Sequence, residues 1–160
     1  TAYMSPSAVF GTTHELTLAT GWDDSALYGV GWFGGVQPSF TLGFELEGGA
    51  DGGPNEGIYA GIGVEPTFPV FTSKFASFTV TLPMELGLSA LDYYEGANGD
   101  TAFGFFAAGV SLGIGLDFVP QDLGAWELGL GMQAIVLGDN TRVDDDLELI
   151  VSGGFGATFN

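Results

Sequence analysis

Carboxylates are the abundant reactive groups of this chain, and they recur at a fixed kind of place. Glu45, Glu65, Glu85, Asp117, Glu127 and Glu148 each fall on or near the small-residue parity of a different alternating segment, and Glu15 adds another. Rings of carboxylate let pores favour cations, and clustered hard oxygens hold Ca²⁺. The plainer role is hydration of strand ends, which suits a narrow eight-stranded interior. A second group, Asp139, Asn140, Asp144, Asp145 and Asp146, lies in one run from Gly138 to Asp146 and offers oxygen ligands for weak Ca²⁺ binding. That run lacks the EF-hand pattern of Gly at position six and Glu at twelve, so a solvated acidic loop is its competing reading. Ca²⁺ is the one candidate cofactor.

Other chemistry is poorly supplied. Cysteine is absent, His14 is the single histidine, and no Gly-x-Ser-x-Gly elbow occurs. Nucleophilic catalysis needs a nucleophile, a base and an orienting acid, so no catalytic residue is expected and no enzyme is read here. The glycine-rich runs from Gly29 to Gly35 and from Gly109 to Gly115 are not followed by Lys-Ser/Thr or by a helical pattern, which excludes a phosphate loop.

The elements that would position these groups are strands. From Ser77 to Ala90, Phe78, Val80, Leu82, Met84, Leu86 and Leu88 share one parity, while small or polar residues occupy the other. A period of two is a β-strand with one apolar face. The same pattern returns in Phe106 to Phe118 and in Trp126 to Val136, opposite Gly109, Ser111, Gly113, Gly129 and Gly131. Alternation and turn residues predict eight strands, at about 13 to 22, 26 to 36, 38 to 48, 57 to 66, 75 to 90, 102 to 119, 124 to 138 and 146 to 159. Eleven residues from Phe78 to Leu88, tilted near 45°, cover roughly 25 Å, the height of a membrane's apolar band.

Composition narrows the class. At 160 residues the length suits one domain, here an arm of 1–12 followed by a β-barrel of 13–160. Its 28 glycines lack a three-residue period and are interleaved with apolar residues, which excludes collagen and disorder. Two basic against 20 acidic residues give a formal net charge of −18 and exclude nucleic acid as a partner, since phosphate binding depends on basic side chains. The supposed outer face is apolar and hardly a lysine is present, unlike the mixed charged surface of a soluble lipocalin-type barrel.

Compact breaks at Gln37 to Ser39, Glu65 to Ser73 and Pro120 to Asp122 define a short-turn end, and polar, on average longer breaks at Asp23 to Ser25, Gly48 to Gly57, Leu91 to Thr101 and Gly138 to Asp146 define a loop end. The first strand is then expected to run toward the loops, with Glu15, Glu65, Asp117 and Glu127 at the turn rim and Glu45 and Glu148 at the loop rim. Aromatics form two expected girdles once strands alternate in direction. Trp32, Phe40, Phe78, Phe118, Trp126 and Phe159 fall at the short-turn end, and Trp22, Tyr28, Phe44, Tyr93, Tyr94 and Phe106 at the loop end. Phe33, Phe103 and Phe105 break parity, which a bulge or an internal aromatic plug would explain.

With strand count, loop asymmetry and girdles together, the chain resembles the small eight-stranded outer-membrane barrels, the OmpA transmembrane domain and the OmpX-like and OmpW-like proteins. The last strand, with Val151, Phe155, Ala157 and Phe159, is similar to the terminal signal of that group, here followed by Asn160. The resemblance implies an all-β, single antiparallel up-and-down barrel in a bacterial outer membrane or at the cell surface, with membrane lipid as partner. A structural, protective or interaction role through acidic loops is the expected function. Two alternatives are a self-assembling extracellular barrel that forms a homo-oligomer or filament, and a small cation- or ligand-binding pore.

Overall fold

Alternating apolar residues leave the backbone no helical stripe to bury, so the chain pairs its polar groups between strands. A computed structural model describes residues 2–3, 13–47, 55–96, 99–141 and 146–159. It is all-β and curls into a half-barrel, with almost no helix. The strands are β1 (Ala2–Tyr3), β2 (Thr13–Gly21), β3 (Ser39–Glu47), β4 (Ile58–Val64), β5 (Thr67–Thr72), β6 (Ser77–Thr81) and β7 (Met84–Leu91). They continue with the short pair β8 (Glu95–Gly96) and β9 (Gly99–Asp100), then β10 (Phe103–Gly115), β11 (Ala125–Leu137) and β12 (Leu147–Thr158). The main sheet runs β1-β2-β3-β4-β7-β10-β11-β12, every neighbour antiparallel.

The predicted strand at 75 to 90 is present as β6 and β7. Thr81 lies opposite Ser111 and Met84 opposite Ala108, so the register against β10 runs unbroken past Leu82 and Pro83. Pro83 has no N–H to give, but its carbonyl still accepts from the Gly109 amide at 2.9 Å. Its partner arm behaves the same way: Val64 faces Met84, Thr67 faces Thr81, and the Leu82 amide donates to the Pro66 carbonyl at 2.9 Å. β4–β5 and β6–β7 are therefore one long hairpin, closed where the Ser73 hydroxyl meets the Phe75 and Ala76 amides.

The expected strand at 26 to 36 is not a strand. Residues Ser25–Tyr28 form a single helical turn, and the chain then winds back to β3. Asp24 explains the departure: one buried carboxylate oxygen accepts from the Val36 amide at 2.9 Å and the Gln37 amide at 3.0 Å. Gly29 ends the turn at φ +59° and Gly35 sits at +105°, a region open to glycine and closed to most side chains. Period-two alternation registers none of these local bonds. The excursion returns to its starting rim, since the Trp22 amide bonds the Pro38 carbonyl at 3.0 Å. β2 therefore runs opposite to the expected direction, and Trp22 and Tyr28 join Trp32 and Trp126 at the turn end.

Parity holds where the ladder holds. One row across the sheet reads Gly21, Ser39, Gly63, Glu85, Ala107, Ile135 and Glu148. The adjacent row reads Thr20, Phe40, Ile62, Leu86, Phe106, Val136 and Leu147. The first row begins at the last residue of β2 and ends near the start of β12, the progressive stagger that curls a sheet toward a barrel.

Candidate functional site: a tyrosine and carboxylate cluster on the concave face

Inward glycines make room for large inward groups. A Cβ at Gly61 would meet the Tyr59 ring, at Gly87 the Phe105 ring, at Gly104 the Tyr94 ring and at Gly43 the Glu15 carboxylate. Four small positions thus seat three rings and an acid near the loop end. Tyr59 and Phe105 stack at 6.5 Å with 12° between planes, Tyr59 and Tyr93 lie 5.3 Å apart, and Tyr93 meets Tyr94 edge-on at 5.1 Å.

The acids are tied to these rings. Tyr93 donates its hydroxyl to Glu15 at 2.8 Å, and Thr17 donates to the other oxygen of Glu15 at 2.7 Å. Tyr59 donates to Glu85 at 2.9 Å. Glu45, the cross-strand partner of Glu15, accepts from the Gly57 amide at 2.7 Å. Asp100 accepts from the Ser89 hydroxyl at 2.9 Å and the Tyr94 amide at 3.3 Å, which fixes the loop that carries both tyrosines. Burial is the main cause holding the Tyr93 and Tyr94 phenols well above the usual tyrosine range; the hydrogen bond to Glu15 reinforces it for Tyr93, and the Glu85 charge for Tyr94.

The predicted carboxylates are therefore divided. Glu45 and Glu85 join the cluster, and Glu15, expected at the turn rim, belongs with them because β2 is reversed. Glu127 and Asp117 line an open hollow of ≈ 970 Å³ at the turn end with Ser77 and Thr158. Glu65 borders a smaller hollow of ≈ 240 Å³ beside Trp22 and Gln37. Glu148 stands exposed on β12. They form no single ring.

The acidic run is only partly visible, since Asp144 and Asp145 lie outside the described residues. Asn140 donates its amide to the Tyr94 carbonyl at 2.7 Å and the Gly99 carbonyl at 2.8 Å, so it ties two loops together. Asp139 and Asp146 are exposed. Among the described residues no group of three or more His, Cys, Asp or Glu side chains is placed to hold a metal ion.

Sequence reasoning placed Tyr93 and Tyr94 in an outer girdle, whereas Tyr94 is only 9% exposed and both point inward. The usable signal was the concentration of inward glycine at one height, a space that something bulky must fill. The expected aromatic plug is met by Phe105, while Phe33 packs against Phe68 and Tyr28 in the turn-end excursion. A scan against protein-family models, a search of curated proteins and a search of solved structures each returned no match.

Proposed function

We propose that this chain is a non-enzymatic, membrane-embedded β-barrel wall of the outer-membrane kind, with a structural or protective role and acidic loops available for interaction. One observation carries the reading: Phe40, Ile62, Leu86, Phe106, Val136 and Leu147 stand in a continuous row across six strands. Further along the same convex face, Leu18 is 57%, Leu130 58% and Val151 76% exposed. Monomeric soluble proteins rarely leave so continuous an apolar surface in water. The facing side carries Gly, Ser, Thr and carboxylates, the complement expected of a small barrel's interior. No described helix is long and apolar enough to cross a membrane, so any crossing is made by strands.

The test is flotation with phospholipid vesicles, followed by urea unfolding in the bilayer. The protein is expected to float with lipid and to require detergent for extraction. Leu130→Lys places a charge on the convex face near mid-strand and is expected to cost about 2–4 kcal/mol, whereas Ser111→Lys on the concave face costs far less. Protein that stays in the lipid-free fraction, or that pellets as ordered particles without detergent, overturns the reading in favour of a soluble or self-assembling barrel.

A further inference from the structure

The segment from Ser25 to Val36 carries no charged residue, in a chain whose formal net charge is −18. It makes up most of the turn-end excursion, and two sets of contacts fix its place on the wall. Its return limb pairs with the backbone where β4 passes into β5: the Gly34 amide donates to the Thr67 carbonyl at 2.7 Å, the Thr67 amide to the Gly35 carbonyl at 3.1 Å, and the Glu65 amide to the Val36 carbonyl at 2.8 Å. Phe33 then settles which face is covered. Its ring lies 5.3 Å from that of Phe68, Phe68 stands opposite Val80, and Val80 opposite Leu112. Cross-strand partners share a face, so Phe68 belongs to the convex, apolar side and the excursion rests on the outside of the wall.

What the excursion turns away from the wall is apolar. Leu27 is 71% and Trp32 65% exposed, with Tyr28 and Val30 exposed beside them. Tyr28 and Trp32 both pack on Phe33, at 4.7 Å and 5.7 Å between ring centres, which holds this surface to its seat. The acids stay at its base. Asp24 is buried against the Val36 and Gln37 amides, and Asp23 accepts from the Ser25 amide and the Gln37 side chain. Glu65 borders the small hollow beside Asp23, away from the apolar surface.

We propose that the excursion is a membrane-interface anchor, seated at the boundary between the headgroups and acyl chains of a zwitterionic phospholipid such as phosphatidylcholine. Its residue types suit that layer, where Trp and Tyr concentrate. Its apolar surface continues the convex face through Phe33 and Phe68. A second copy of so acidic a chain would bring its own Asp23 and Glu65 toward these, and an anionic lipid would meet the same repulsion. Depth follows from the backbone: the turns at Gly29 and Gly31 lie outside the strand ladder, and irregular backbone is not tolerated in contact with hydrocarbon, so the anchor stops short of the acyl core. The proposal rests on the membrane reading of the convex face.

The chain has no cysteine, so a nitroxide on one introduced cysteine reports a single position. Leu27→Cys, Val30→Cys and Leu130→Cys are labelled singly in phosphatidylcholine vesicles. All three side chains are exposed, so the label displaces no packed group. Collisions with oxygen, which concentrates among acyl chains, are compared with collisions with a neutral nickel complex, which stays in water. Oxygen is expected to exceed nickel several-fold at Leu130, and by a smaller ratio at Leu27 and Val30. Nickel in excess at Leu27 and Val30, with Leu130 still in lipid, puts the excursion in water and overturns the anchor alone. Low collision with both reagents shows a protein surface over the segment, a second copy, and also overturns it. Nickel in excess at Leu130 defeats the membrane reading, and the anchor falls with it.

Discussion

At the level of single residues, glycine and tyrosine are complementary parts of one packing solution. Gly104 lies directly under the Tyr94 ring, so Gly104→Ala forces a buried ring to move. The expected cost is about 1–3 kcal/mol, read as a lower urea midpoint. Gly129 has open space where its Cβ would be, and Gly129→Ala is expected to change stability by no more than about 0.5 kcal/mol. Equal effects at the two sites would refute the packing of the cluster. Tyr93→Phe removes a donor from the buried Glu15 carboxylate and is expected to cost about 1–3 kcal/mol by the same measurement.

The same phenols give an alkaline signature. Folding raises the Tyr93 and Tyr94 pKa above the ordinary 10.0, so their contribution is complete below pH 10.0 and is lost as pH rises through the higher folded values. In an ultraviolet titration, phenolate absorbance that disappears in Tyr93→Phe or Tyr94→Phe should be the part that appears late. Difference spectra showing these two ionising near 10.0 would contradict their burial.

Elements respond to different forces. The turn-end excursion, residues 22–38, is held by side chains bonding to backbone, and Asp24 is its anchor. Asp24→Ala leaves the Val36 and Gln37 amides without that acceptor and is expected to cost about 1–3 kcal/mol, with protease cleavage appearing between residues 25 and 36. Unchanged resistance to protease would show that the excursion is held by something else. Asp23 supplies an acid-sensitive link: bonds from Ser25 and then Gln37 hold its carboxyl down at about 2 from 3.8. Its contribution is present above pH 3.8 and is lost as pH falls toward 2, so the excursion should loosen in that window. The long hairpin, by contrast, keeps its register past Pro66 and Pro83 because carbonyls on both sides still accept.

For the molecule as a whole, two faces of one sheet divide the labour. The convex face carries the large apolar side chains, and the concave face carries small residues, the aromatic plug and the acids. With 20 acidic and two basic residues, most carboxylates cannot be neutralised by ion pairs within the chain. The structure instead gives Glu15, Glu45 and Glu85 hydroxyl or amide donors. An apolar convex face and a hydrogen-bonded acidic concave face are two consequences of the same alternation. Flotation and the Leu130→Lys comparison test the convex face.

Alternation is a local property, so the sequence alone determined the class, the two faces and most strand positions. Phe78 to Leu88, Phe106 to Ile114 and Trp126 to Val136 kept their predicted parity because each pleated backbone sends successive side chains to opposite faces whatever its neighbours do. Tertiary structure decided the rest. Asp24 bonds to amides twelve and thirteen residues away, which turned an expected strand into an excursion, reversed β2 and moved Glu15 beside Glu45. Tyr93 reaches Glu15 across 78 residues, a pairing that no window along the chain contains. Which carboxylates meet is set by strand direction and register, and these are fixed only when distant segments pair.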